Sequence, residues 1–168
     1  MGADNTLGAG SATVSGAQLP QVDRASWRNL GGVLIASPGV ASVNGTITYS
    51  AEGVDHRVYT RTPTLGYAPT PWFCTGHPAA GTFGTSSQFA CQGLDTQLWY
   101  SMNSGSGWGD AQQLGGILVD GPGIAAGPAG ATTNVESLDG SVWHRALSTG
   151  WTNDGGIVRN GVGASYIP

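Results

Sequence analysis

Gly93-Leu-Asp-Thr-Gln-Leu-Trp-Tyr-Ser-Met-Asn103, followed by Gly107-Trp108, is the stretch that decides the fold. It reads as a turn around Asp95, an alternating strand with Trp99 near its middle, a Gly-rich turn and a Gly-aromatic pair. The same order occurs upstream as Gly53-Val-Asp-His-Arg-Val-Tyr-Thr-Arg61, closing at Gly66-Tyr67. It occurs downstream as Ser137-Leu-Asp-Gly-Ser-Val-Trp-His-Arg145, closing at Gly150-Trp151. From Asp55 to Asp95 to Asp139 the steps are 40 and 44 residues. Self-similarity at that period marks a propeller or another stacked repeat.

A second marker keeps step with the first. Pro38, Pro78 and Pro122 each lie 17 residues before the turn aspartate of their copy. Between them run short apolar stretches such as Leu30-Gly-Gly-Val-Leu-Ile35 and Leu114-Gly-Gly-Ile-Leu-Val119. Asn44-Gly45 between two alternating runs is a strong hairpin signal. No window of helical period survives the Gly and Pro spacing. The expectation is therefore an all-β chain. The repeats are expected to form a small β-propeller of about four blades with four strands each, an arrangement that also protects strand edges.

The repeat units, counted from one aromatic to the next, run about 27–66, 67–108 and 109–151. A fourth copy starts at Gly155-Gly156 and stops after Gly161-Val-Gly-Ala-Ser-Tyr166. Residues 152–168 and 1–26 are expected to make the last blade together, closing one domain over 1–168. Gly2-Ala-Asp-Asn-Thr-Leu7 imitates the Asp turn but lies far from Trp27, so Ser11 to Ser15 is read as the second strand of that blade. Monomeric closure is favoured, although the terminal strands could instead pair with a second chain.

Composition narrows the function. Glycine supplies 29 of 168 residues, against a usual value of about 7%. The net charge is -4, and the six cations, all arginines, are scattered rather than striped. A nucleic-acid partner is therefore not expected. Gly115 to Ala131 is broken by Asp120, Pro122 and Pro128, so no membrane span is read there. The N-terminus shows no signal peptide, a pattern that a mature exported form would also give.

At this point the repeats resemble those of tectonin-like and PLL-like β-propeller lectins. The likeness rests on Gly-Leu-Asp-Thr-Gln-Leu-Trp-Tyr, the closing Gly-Trp, the Leu-Gly-Gly link and Pro-Gly-Val-Ala-Ser, and it covers roughly residues 27 to 165. Members usually have more than four blades. The resemblance implies noncovalent glycan binding between blades or near the Gly-aromatic turns, in an extracellular or cell-surface setting. The rival reading is a structural or protein-interaction module of a larger surface or particle assembly, with a protein surface as its partner.

Candidate ligand contacts are Trp27, Tyr67, Trp108 and Trp151, which follow the turns, with Arg61 and Arg145 as donors to sugar hydroxyls or a carboxylate. Tyr59, Trp99 and Trp143 are read mainly as packing between blades. The three aspartates are read as turn acceptors. Cys74 and Cys91 replace the apolar pairs Leu34/Ala51 and Leu118/Val135 of the other copies. They make either two buried thiols or, in an exported protein, the favoured disulfide. No metal or cofactor is expected, because His56, His77 and His144 fall in different elements. No enzyme is expected either. The chain has no Gly-x-Ser-x-Gly elbow and no phosphate loop, and its carboxylates sit mostly in turns.

Overall fold

A computed structural model describes residues 5–13, 21–43, 46–104, 107–128 and 130–164. Every regular element among them is a strand. The first two, β1 (Leu7–Thr13) and β2 (Gln21–Gly31), form a two-stranded antiparallel sheet. Three four-stranded meanders follow. One is β3 (Gly39–Val43), β4 (Thr46–Glu52), β5 (Arg57–Arg61) and β6 (Ala68–Phe73). The next is β7 (Thr75–Phe83), β8 (Ser86–Gln92), β9 (Leu98–Asn103) and β10 (Gln112–Gly115). The last is β11 (Gly123–Gly127), β12 (Gly130–Glu136), β13 (Val142–Ala146) and β14 (Thr152–Gly155). All neighbouring strands are antiparallel.

The sheets lie side by side through their first strands. β3 packs beside β7, and β7 beside β11. A Cβ on Gly39 would stand 2.6 Å from the Pro78 carbonyl oxygen, so only glycine admits this approach. Residues 162–164 lie against Gly123 of β11, where the first strand of a further sheet would run.

One triad of buried side chains recurs at each junction. It is Leu7, Leu34 and Ala51 before the first meander, and Leu98, Leu118 and Val135 before the third. Between them it is Val58, Cys74 and Cys91, and these two cysteines are disulfide-bonded. Burial of each large aliphatic member contributes about 1.5–3 kcal/mol. The bond ties the link after β6 to β8 of the next sheet, across the space that Leu–Ala and Leu–Val contacts fill elsewhere.

The turn before each third strand is equally regular. His56, Thr96 and Gly140 have φ of 60°, 63° and 77°, and their carbonyls accept from Cys74, Leu118 and Val158 N–H at 2.9, 2.9 and 2.8 Å. Asn5 does the same, with φ 59° and a 2.9 Å bond from Leu34 N–H. The structure thereby corrects the N-terminal register. β1 follows the imitated Asp turn, so it is the counterpart of the third strands β5, β9 and β13, and Ser11 belongs to it. The distance to Trp27 is taken up by the strands themselves, β1 and β2 being 7 and 11 residues long against 5 and 6 for β5 and β6. The joint expected between the two termini falls partly on residues 14–20 and 165–168, outside the described residues.

Candidate functional site

Each junction carries a cavity built from the same parts. The turn comes first. Asp55 Oδ1 accepts the Arg57 N–H at 3.1 Å, Asp95 Oδ1 the Gln97 N–H at 3.1 Å, and Asp139 Oδ1 the Ser141 N–H at 2.9 Å. These bonds make the aspartates turn acceptors, as read from the sequence. The same carboxylates also hold the strand aromatics. The Tyr59 hydroxyl donates to Asp55 Oδ2 at 3.0 Å and Trp99 Nε1 to Asp95 Oδ1 at 3.0 Å. Trp143 reaches its aspartate through Ser141, with Nε1 donating to Oγ at 2.8 Å and Oγ donating to Asp139 at 2.6 Å. The rings fold back over the turn backbone. A Cβ on Gly93 would overlap the Trp99 ring.

Those pinned rings line three cavities of about 390, 360 and 370 Å³. The first joins Val33 and Leu34 of the preceding link to Val54, Tyr59 and Tyr67. The second joins Trp72 and Phe73 to Phe89, Leu94 and Trp99. The third joins Gly116 and Ile117 to Leu138, Trp143 and Trp151. The residue before each turn aspartate stands at the rim: Val54, Leu94 and Leu138 are 65, 61 and 73% exposed. Each cavity thus offers apolar walls, a fixed ring and one carboxylate.

The carboxylates stay ionised well into acid. Burial raises Asp55 and Asp95, but the N–H, hydroxyl and indole donors around them outweigh it and lower both below the usual value of 3.8. Asp139 is lowered to about 2 by the Ser137 and Ser141 hydroxyls and the Ser141 N–H. Such committed carboxylates serve as anchors for rings and as hydrogen-bond acceptors.

The sequence candidates distribute unevenly. Tyr67 and Trp151 line the first and third cavities. Behind them lie Arg61 and Arg145, with guanidinium carbons 5.2 and 5.9 Å from the ring centres. Both arginines therefore stack on the Gly-aromatic rings. Arg145 Nη1 also donates to the Leu114 carbonyl at 2.6 Å. Trp108 does not take the matching place in the middle cavity, which Ala111 lines. It packs edge-on to Trp72 and Phe89, at 5.2 and 6.2 Å between centroids. Trp27 lies over Gly10 of β1, half-exposed, and lines none of the three cavities. Tyr59, Trp99 and Trp143, read from the sequence mainly as packing between blades, each line one of the three cavities. The exposed Val or Leu before each turn aspartate was the available signal. Among the described residues, no group of three His, Cys, Asp or Glu is placed to hold a metal ion. No described helix is long and apolar enough to cross a membrane.

No family model matches the chain, and no curated protein matches it. Solved structures do. A mutant of Aleuria aurantia lectin in complex with Fucα1-6GlcNAc matches with a TM-score of 0.56 at 14% identity, over 85% of this chain and 53% of that one. The mutant in complex with α-methyl-L-fucoside gives 0.56 and 14%, over 87% and 53%. The likeness is one of fold, shared with that lectin. The chain spans about half the length of these structures.

Proposed function

We propose that this chain is a carbohydrate-binding β-propeller segment in which each junction cavity takes one sugar noncovalently. The three four-stranded sheets are blades, and β1–β2 with the C-terminal segment belongs to a fourth. Closure within one chain is the favoured form, and a strand-swapped pair is the alternative. The observation that carries the reading is the repetition of one built cavity. A ring pinned by a carboxylate, beside an apolar rim, recurs at three junctions.

The chemistry suits a sugar with an apolar face. A fixed ring stacks on C–H groups without losing rotamer freedom, and the ring's polar edge is already satisfied. The exposed aliphatic at the rim fits a 6-deoxy methyl group, which the fucosides named for the Aleuria lectin structures carry. Single cavities this open bind weakly, and repetition raises avidity. The buried disulfide supports an extracellular or cell-surface setting.

Titration with α-methyl-L-fucoside, followed by tryptophan fluorescence, tests the reading. Saturable quenching that loses the Trp143 share of its amplitude in Trp143→Ala, while the remaining quenching stays saturable, supports it. Quenching of unchanged amplitude in the variant, or none in the wild type, rejects it. The exposed rim of Val54, Leu94 and Leu138 also suits a protein surface, and that reading takes over if no sugar binds.

A further inference from the structure

We infer that a fourth, separate cavity between the first two meanders binds the carboxylate of an acidic sugar, a hexuronate. The cavity holds about 150 Å³, room for one charged group and part of a pyranose ring. Its walls bring Arg61, Thr48 and Thr60 of the first meander against Trp108 and Asn103 of the second. None of its lining residues is Asp or Glu.

Arg61 is the reason to read an anion. Its guanidinium stacks on Tyr67, and its Nε is buried with no hydrogen-bond partner among the described residues. It forms no ion pair among them either. Its counterpart Arg145 donates Nη1 to Leu114, and the third counterpart is Ser101, whose hydroxyl donates to the Gly109 carbonyl at 2.8 Å. Arg145 shares the unpartnered Nε but commits its Nη1 to Leu114, so of the three positions Arg61 holds the more open fork of donors. A buried donor without an acceptor is costly, and a carboxylate answers it with charge-assisted bonds. In a chain of net charge -4 this cation is a local exception.

Trp108 supplies the sugar platform. Trp72 and Phe89 fix its orientation edge-on, and both also line the middle cavity. The displacement of Trp108 from the Gly-aromatic place thereby furnishes a ring for this cavity. The threonine hydroxyls add donors and acceptors for ring hydroxyls.

The test is a titration of the full chain with methyl β-D-glucuronide, methyl β-D-glucoside and inorganic sulfate, read at the Trp108 indole N–H by NMR. The glucuronide is expected to move that signal saturably and the glucoside to bind at least tenfold more weakly. Arg61→Gln is expected to abolish the difference, and Arg61→Lys, which keeps charge and stem, to retain part of it. Equal binding of both glycosides, sulfate binding as tightly as the glucuronide, or an unaltered response in Arg61→Gln overturns the inference. It stands apart from the fucoside reading, which is followed at Trp143, so either can fail alone.

Discussion

The Trp99 indole N–H donates to the Asp95 carboxylate at 3.0 Å, and that one bond joins the turn to the cavity. Asp95 also accepts from the Gln97 N–H at 3.1 Å and from Gln113 Nε2 at 2.8 Å. Asp95→Ala removes all three. At this exposed turn the loss is about 1–2 kcal/mol, the scale of hydrogen bonds to a charged group after solvent screening is allowed for. Urea unfolding measures the cost. Fucoside affinity is expected to fall further than stability alone explains, because the Trp99 ring is released.

Acid stability follows the lowered carboxylates. Asp139 titrates at about 2 in the folded chain against an ordinary value of 3.8, so its contribution is present above about pH 4. It is lost as the pH falls through about 2. The melting temperature is expected to drop across that window, and Asp139→Asn to flatten part of the drop.

Glu52 acts with the opposite sign. Burial raises its pKa above 4.5 despite the His56 ring nitrogen 2.6 Å away. Its protonated form is favoured by folding, so the stability it adds is present below pH 4.5 and lost as the pH rises through the raised value. The equivalent residue in the next sheet is Gln92, which donates to the Leu118 carbonyl at 2.6 Å. Glu52→Gln is therefore expected to raise the melting temperature at about pH 7 and to change it little at about pH 4.

The disulfide closes a separation of 17 residues. Replacing both cysteines by alanine is expected to cost about 3 kcal/mol or more, from loop entropy and lost packing. Cys74→Leu with Cys91→Val copies the Leu118–Val135 pair and is expected to recover part of that loss. Denaturant unfolding of the two double variants decides.

These elements differ in how openly the sequence displays them. Asp55, Asp95 and Asp139 were legible because a turn acceptor at fixed spacing has one physical job. Cys74 and Cys91 were legible because their counterparts are apolar in both neighbouring copies. Trp108 was not. Counting from the Gly-aromatic pair sets it beside Trp151, yet Trp151 lies four residues before Gly155 and Trp108 seven before Gly115. Chain spacing to the link, not to the turn, decides which ring reaches the cavity. The turn at Asn5 was hidden by the length of β1 and β2, which stretches one copy out of step. Tyr59, Trp99 and Trp143 were ambiguous for another reason. An aromatic on an alternating strand has the same pattern whether it packs between blades or lines the opening there.

The most direct measurement is an NMR titration of the full chain with α-methyl-L-fucoside, watching the indole N–H signals of Trp99 and Trp143. Repeated sugar cavities predict saturable shifts at both, in different sheets, with Trp143→Ala removing only its own. Unshifted signals at saturating millimolar sugar would contradict the account.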